Sequence, residues 1–249
     1  MIGPELNAII PVICVVLAGL ACIVAEAFRE RQERMPIGGL GLIGLGGAAV
    51  SSILLWNTQA GSLGVVVADN FGLFINLVLI GVGVLTILYS SSILERDNLP
   101  AGEYYALVLF ALSGMMLMAI ATDLLVIFLA LEVFSLAVYV LTGLRRQVAA
   151  STEGAFKYFL LGAFASAFFL YGMAFAFGQT GSTHLDNIGR TVAAQSMGDH
   201  PLWLAAMGLL LVGFGFKVAA VPFHMWTPDA YDGAPSIVTG FMSTAVKAA

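Results

Sequence analysis

Residues 213–220 read Gly213-Phe-Gly-Phe-Lys217-Val-Ala-Ala220, an amine set in the middle of an apolar run. The same oddity recurs at Gly154-Ala-Phe-Lys157-Tyr-Phe-Leu-Leu161 and at Thr244-Ala-Val-Lys247-Ala-Ala249. These are the chain's only lysines, and none lies in a polar connection. One acid joins them, Glu132 in Ile127-Phe-Leu-Ala-Leu-Glu132-Val-Phe-Ser-Leu136. A charge at the centre of a bilayer costs at least about 2.5–3.5 kcal/mol on insertion scales, so ionisable groups at that depth ask for a function.

The surroundings of these four residues are those of a membrane protein. The chain has 249 residues, 60% hydrophobic and 10% charged. A soluble domain carries about 25% charged residues. Its 28 glycines are spread through the apolar stretches, where small residues let membrane helices approach closely. Seven runs are long enough to span, at 6–28, 37–56, 71–94, 103–121, 123–144, 154–178 and 201–222, and an eighth begins near Pro235. The expectation is an all-α polytopic transmembrane bundle of about eight helices, one membrane domain over 1–249 with no soluble domain. The connections are short, and only 179–200 has the length for a structured loop. The net charge of −5 and the lack of a basic stripe give no footing for nucleic acid. Cys14 and Cys22, eight residues apart on one helix, lie about 12 Å apart, too far for a mutual disulfide.

Basic residues orient the bundle. Arg29, Arg31, Arg34, Arg96, Arg145 and Arg146 fall in odd-numbered connections, and only Arg190 in an even-numbered one. The positive-inside rule places the odd connections in the cytoplasm and the amino terminus outside. The first residues, Met1-Ile-Gly-Pro-Glu5, lack the basic start of a signal peptide.

Depth then separates the ionisable groups. Glu132 lies roughly 14 Å into its helix and Lys247 about 18 Å past Pro235, both mid-bilayer. Lys157 is one turn from the cytoplasmic start of its run, where it can snorkel and pair with Glu153 four residues earlier. Lys217 comes late in a run that Gly208, Gly213, Gly215 and Pro222 weaken. Burial favours the neutral amine and the neutral acid, while an opposite charge nearby reverses both preferences. Lysine can therefore switch under such control and arginine cannot. Arginine here is confined to the connections. His224, after Pro222, is a candidate to pass protons or a plain interface histidine. His184 and His200 read as solvated, Trp226 and Tyr231 as interface anchors, Asp123 and Glu153 as helix caps, and Asp229 and Asp232 as turn caps.

Three stretches carry a resemblance: Ala130-Leu-Glu132-Val-Phe-Ser-Leu-Ala-Val-Tyr139, then Phe156-Lys157-Tyr-Phe-Leu-Leu-Gly-Ala, then Gly215-Phe-Lys217-Val-Ala-Ala-Val-Pro222-Phe-His224-Met-Trp226-Thr-Pro228-Asp229-Ala-Tyr231-Asp-Gly-Ala-Pro235. They resemble the antiporter-like membrane subunits of respiratory complex I and related sodium/proton antiporters, most of all the subunit N branch. The resemblance implies the first half of a roughly fourteen-helix fold with inverted repeats, helices one to three covering about 6–94 and the first repeat about 103–249, with a broken seventh helix. It implies a proton relay of Glu132, Lys157, Lys217, Lys247 and His224. It implies as partners the other membrane subunits of complex I, the bilayer and protons, in the cell's inner (plasma) membrane. It further implies no cofactor on this chain, with NADH, flavin, iron–sulfur clusters and quinone handled by other subunits. Three other readings stay open on the residues: a related antiporter or membrane-bound hydrogenase subunit, a haem or quinone enzyme (with only His224 near a membrane helix), and a passive scaffold.

Overall fold

A computed structural model describes residues 4–28, 37–58 and 60–249. The basic connection with Arg29, Arg31 and Arg34, and the first three residues, lie outside the described residues. A 3₁₀ turn over Pro4–Ile9 leads into α1, Ile10–Ala27. Then come α2 Ile37–Leu54, α3 Asn70–Arg96, α4 Ala101–Ala119, α5 Leu124–Thr142 and α6 Ala149–Thr180. These six are long and apolar enough to cross a bilayer. A short surface helix α7, Leu185–Ala194, precedes α8, Pro201–Lys217, with α9 Thr227–Gly233 and α10 Ser236–Ala248 last.

The bundle is apolar outside as well as inside. Leu17, Ile43, Leu85, Phe164 and Leu211 are each more than half exposed. Such side chains suit hydrocarbon, where no hydrophobic penalty attaches to their exposure. The interior is centred on α4, which packs against α1, α3 and α5 and buries Tyr104, Leu109, Leu112 and Met115 completely. α6 lies against α5, α8 and α9.

The connections sort onto two ends. At one end a hairpin of β1, Ala60–Ser62, and β2, Val66–Ala68, follows α2. Its Val67 amide donates to Ile120 O at 2.8 Å, and the Thr122 amide donates to Val65 O at 2.9 Å. The Leu124 amide then donates to Thr183 O, also at 2.9 Å. The α2–α3, α4–α5 and α6–α7 connections are thus sewn together by backbone hydrogen bonds. At the other end Arg146 pairs with Glu103 at 3.1 Å and Arg145 donates to Ala234 O at 2.9 Å. Even and odd connections lie apart, as alternate crossings require.

Several expectations change. The hairpin lies in a stretch read only as a connection. The run at 201–222 stays helical only to Lys217. Glu153 lies inside α6, which starts at Ala149 behind Val148 without a side-chain cap, and it pairs with Lys157 instead. Asp123 does cap α5, accepting from the Leu125 amide at 2.8 Å. His184 is half-buried rather than solvated, and its backbone bridges Asp123. Asp229 sits in the first turn of α9 but spends its carboxylate on Lys157. Cys14 and Cys22 are free thiols, as their spacing required.

Candidate functional site

Two helical stripes make the site. On α5, Glu132, Ser135 and Tyr139 stand at i, i+3 and i+7, which places an acid, a hydroxyl and a phenol on one face. On α6, Tyr158, Gly162 and Ser166 stand at i, i+4 and i+8. The faces meet. The Ser166 hydroxyl donates to the Glu132 carboxylate. Further along, the Tyr139 ring stands edge-on to Tyr158, with centroids 4.6 Å apart. A Cβ built on Gly162 would fall 2.0 Å from the Tyr139 hydroxyl and 2.6 Å from its Cζ, so only glycine leaves room for the phenol.

Lys217 reaches this seam from α8. It is 6% exposed, and its Nζ donates to Ser135 Oγ at 2.6 Å and to Tyr139 Oη at 3.1 Å. The Ser135 hydroxyl in turn donates to Leu131 O. The rings of Phe134, Tyr139 and Phe216 surround the ammonium, with centroids 5.6, 5.2 and 5.6 Å away. Hydroxyl acceptors and aromatic faces favour the charged lysine, and burial favours the neutral amine. Among the described residues, no ion pair within 4.0 Å joins Lys217 to Glu132.

Lys217 is the last residue of its helix, and the chain explains why. Ala219 is left-handed at φ 57°, the Ala220 amide donates to Gly215 O at 2.8 Å, and the Ala219 amide donates to Phe216 O at 3.1 Å. This is a Schellman ending with alanine where glycine is usual. The helix dipole therefore ends at the ammonium, a favourable placing for a cation. Residues 218–226 form turns rather than helix. Trp226 closes the break. It is 2% exposed, not an interface anchor, because its indole N–H donates to Phe216 O at 3.0 Å and its ring stacks on Tyr158 at 4.1 Å. α9 then seats against α6, where a Cβ on Gly154 would meet Asp229 O at 2.5 Å and one on Gly233 would meet Ala150 O at 2.4 Å. Trp226→Phe keeps most of the stack and removes one of the hydrogen bonds to the Phe216 carbonyl, a cost of about 0.5–1.5 kcal/mol. Amide hydrogen exchange across 218–226 in the full-length protein is expected to quicken.

The other expected residues stand outside this seam. Lys157 is about half exposed and pairs with Glu153 at 2.6 Å and Asp229 at 2.8 Å, tying α6 to α9. His224 is exposed within the break. Lys247 is exposed on α10, its Nζ 5.8 Å from the Tyr231 ring centroid. The Tyr231 hydroxyl is buried rather than at an interface. Ser135, Tyr139, Gly162 and Ser166 were not singled out from sequence. Their signal was the shared register with Glu132 on α5 and with Tyr158 on α6. Among the described residues, no three His, Cys, Asp or Glu side chains are placed to hold a metal ion.

Comparison with known proteins agrees with this architecture. A family model described as NADH:quinone oxidoreductase/Mrp antiporter, TM matches residues 121–249. A protein of Trichlorobacter lovleyi named NADH-quinone oxidoreductase subunit N is 42% identical over 246 residues, covering 98% of this chain and 50% of that protein. Subunit N 2 of Koribacter versatilis is 43% identical over 253 residues, covering 97% and 51%. The chain thus spans about half the length of the curated relatives it matches. Among solved structures, a chain of respiratory complex I from Thermus thermophilus with bound aureothin superposes with a TM-score of 0.79 at 36% identity, covering 96% of this chain and 51% of that one. A chain of the archaeal membrane-bound sulfane sulfur reductase shares the fold with a TM-score of 0.84 at 22% identity, covering 97% and 51%. The chain belongs to the NADH:quinone oxidoreductase/Mrp antiporter membrane family, as an antiporter-like segment of the kind found in subunit N.

Proposed function

We propose that the protein containing this chain moves protons across a bacterial inner membrane as a subunit of a proton-translocating NADH:quinone oxidoreductase. The observation that carries the reading is the buried Lys217, held by the hydroxyls of Ser135 and Tyr139 at a helix break, on the same stripe as the half-buried Glu132. Protons enter from the cytoplasm on the side of Lys157 and His224, are held between Glu132 and Lys217, and pass laterally to Lys247. The end of the bundle bearing Arg145 and Arg146 faces the cytoplasm, and the amino terminus lies outside. Redox chemistry takes place on the flavin, iron–sulfur and quinone sites of neighbouring subunits. Each charge moved against the membrane potential costs about 2.3 kcal/mol per 100 mV, so the relay must switch in step with that chemistry.

Glu132→Gln tests the reading. In the full-length protein within its complex, NADH-driven proton translocation in proteoliposomes is expected to fall by about tenfold or more. Unchanged translocation would refute it. The family also includes sodium/proton antiporters; the identity to NADH-quinone oxidoreductase subunits over nearly the whole chain favours the first reading. Sodium-dependent proton movement without NADH would favour the second.

A further inference from the structure

An open groove of about 610 Å³ runs between α3 and α10, walled by Val82, Leu85, Tyr89 and Ile93 of the first and by Ile237 and Phe241 of the second. Arg96, the last residue of α3, and Ser236, the first of α10, stand at one end of it. This is the end of the bundle where Arg145 donates to Ala234 O, just ahead of α10. From Arg96 to Val82 the groove follows α3 for about 21 Å, enough to cross one leaflet of a hydrocarbon core about 30 Å thick. Below Arg96 its wall is largely apolar. The Thr86 hydroxyl donates to Val82 O and the Thr244 hydroxyl to Gly240 O, both at 2.8 Å, so these polar groups are spent on their own helices. Leu85 and Tyr89 are more than two-thirds exposed, and a Cβ built on Gly240 would meet nothing within 4 Å.

The charge at the mouth selects the occupant. Arg96 spends its Nε on Asp97 at 2.8 Å, and among the described residues its two terminal nitrogens have no hydrogen-bond partner. The positive end of α10 opens beside it, with no side chain capping its first turn. This end attracts an anion, and the rest of the groove accepts hydrocarbon. Basic pockets between membrane helices at headgroup level are where anionic lipid headgroups bind. The dimensions exclude a helix lying within the groove. Spread over about 21 Å, its volume leaves a cross-section of roughly 30 Å², while an α-helix about 10 Å across fills about 80 Å². We infer that the groove holds one anionic phospholipid, with its phosphate at Arg96 and the first turn of α10 and one acyl chain laid between α3 and α10. The lipid clasps α10, the helix that carries Lys247, to α3. The site is separate from the seam of Glu132 and Lys217 and does not depend on proton transfer there.

The test uses the full-length protein within its complex, in phosphatidylcholine vesicles carrying a trace of phosphatidylglycerol with a diazirine in its acyl chain. A matched set carries diazirine-labelled phosphatidylcholine instead. After photolysis, peptides covering 82–96 and 236–244 are expected to take up the anionic probe about fivefold more than the neutral one. Arg96→Lys should keep that preference and Arg96→Gln should abolish it. The Arg96 side chain is 70% exposed, so neither change disturbs the packed interior. Gly240→Trp, built into open space, should lower uptake of the anionic probe at these peptides by about the same factor. Equal uptake of the two probes would mean ordinary lipid at the rim of the bundle. No uptake would mean that a further part of the protein or a neighbouring subunit covers the groove. Either result overturns the inference, as does a preference that survives Arg96→Gln.

Discussion

Lys217→Arg is expected to stop proton movement in the assembled complex, although it keeps a positive charge at the same place. A guanidinium stays protonated at any pH a protein meets, so it can hold the charge and cannot hand on the proton. It is also a planar fork, while the cage of Phe134, Tyr139 and Phe216 surrounds a compact ammonium whose contacts are two hydroxyls at 2.6 and 3.1 Å. Loss of a group that transfers a proton in the rate-determining step slows a reaction by about 10²–10⁴-fold. Proton translocation measured alongside NADH oxidation should fall on that scale. Normal translocation with arginine would show that Lys217 acts as a fixed charge.

Gly162→Ala carries the second large effect, through a residue with no polar side chain. The new methyl would fall 2.0 Å from the Tyr139 hydroxyl and 2.6 Å from Cζ, well inside contact distance. Tyr139 already packs against Tyr158 and Phe159 of the same helix, with centroids 4.6 and 5.8 Å away, so the phenol must move or α5 and α6 must part. Overpacking of this kind costs about 1–3 kcal/mol. The hydroxyl would leave Lys217 in either case. The expected result is a complex that melts at lower temperature and translocates protons at least about tenfold more slowly. Wild-type translocation would mean that the Tyr139–Lys217 contact is dispensable.

The two residues differ in how far sequence alone exposes them. Lys217 and Glu132 are conspicuous because an ionisable group in an apolar run has no ordinary explanation. Gly162, Ser135 and Ser166 are ordinary in membrane helices, and their meaning lies only in register. The stripe Glu132, Ser135, Tyr139 could be written down from the spacing, but its partner stripe on α6 requires knowing how the helices turn toward each other. The spans α1 to α6 follow from hydropathy, since each must bury its backbone within an apolar run of sufficient length. The end of α8 at Lys217 does not, because Val218, Ala219 and Ala220 continue the apolar run. The break is set by a left-handed alanine and by the Trp226 indole ten residues from its acceptor. Trp226 shows the limit most plainly: a tryptophan near a span end suits an interface, and only the stacked Tyr158 and the hydrogen bond to the Phe216 carbonyl draw it inside.

Whether the acid and the amine change protonation in turnover is most directly tested by infrared difference spectroscopy of the assembled complex, resting against turning over on NADH. The account predicts carboxyl bands that appear on turnover, vanish in Glu132→Gln and are altered in Lys217→Arg. A difference spectrum indifferent to both substitutions would contradict it.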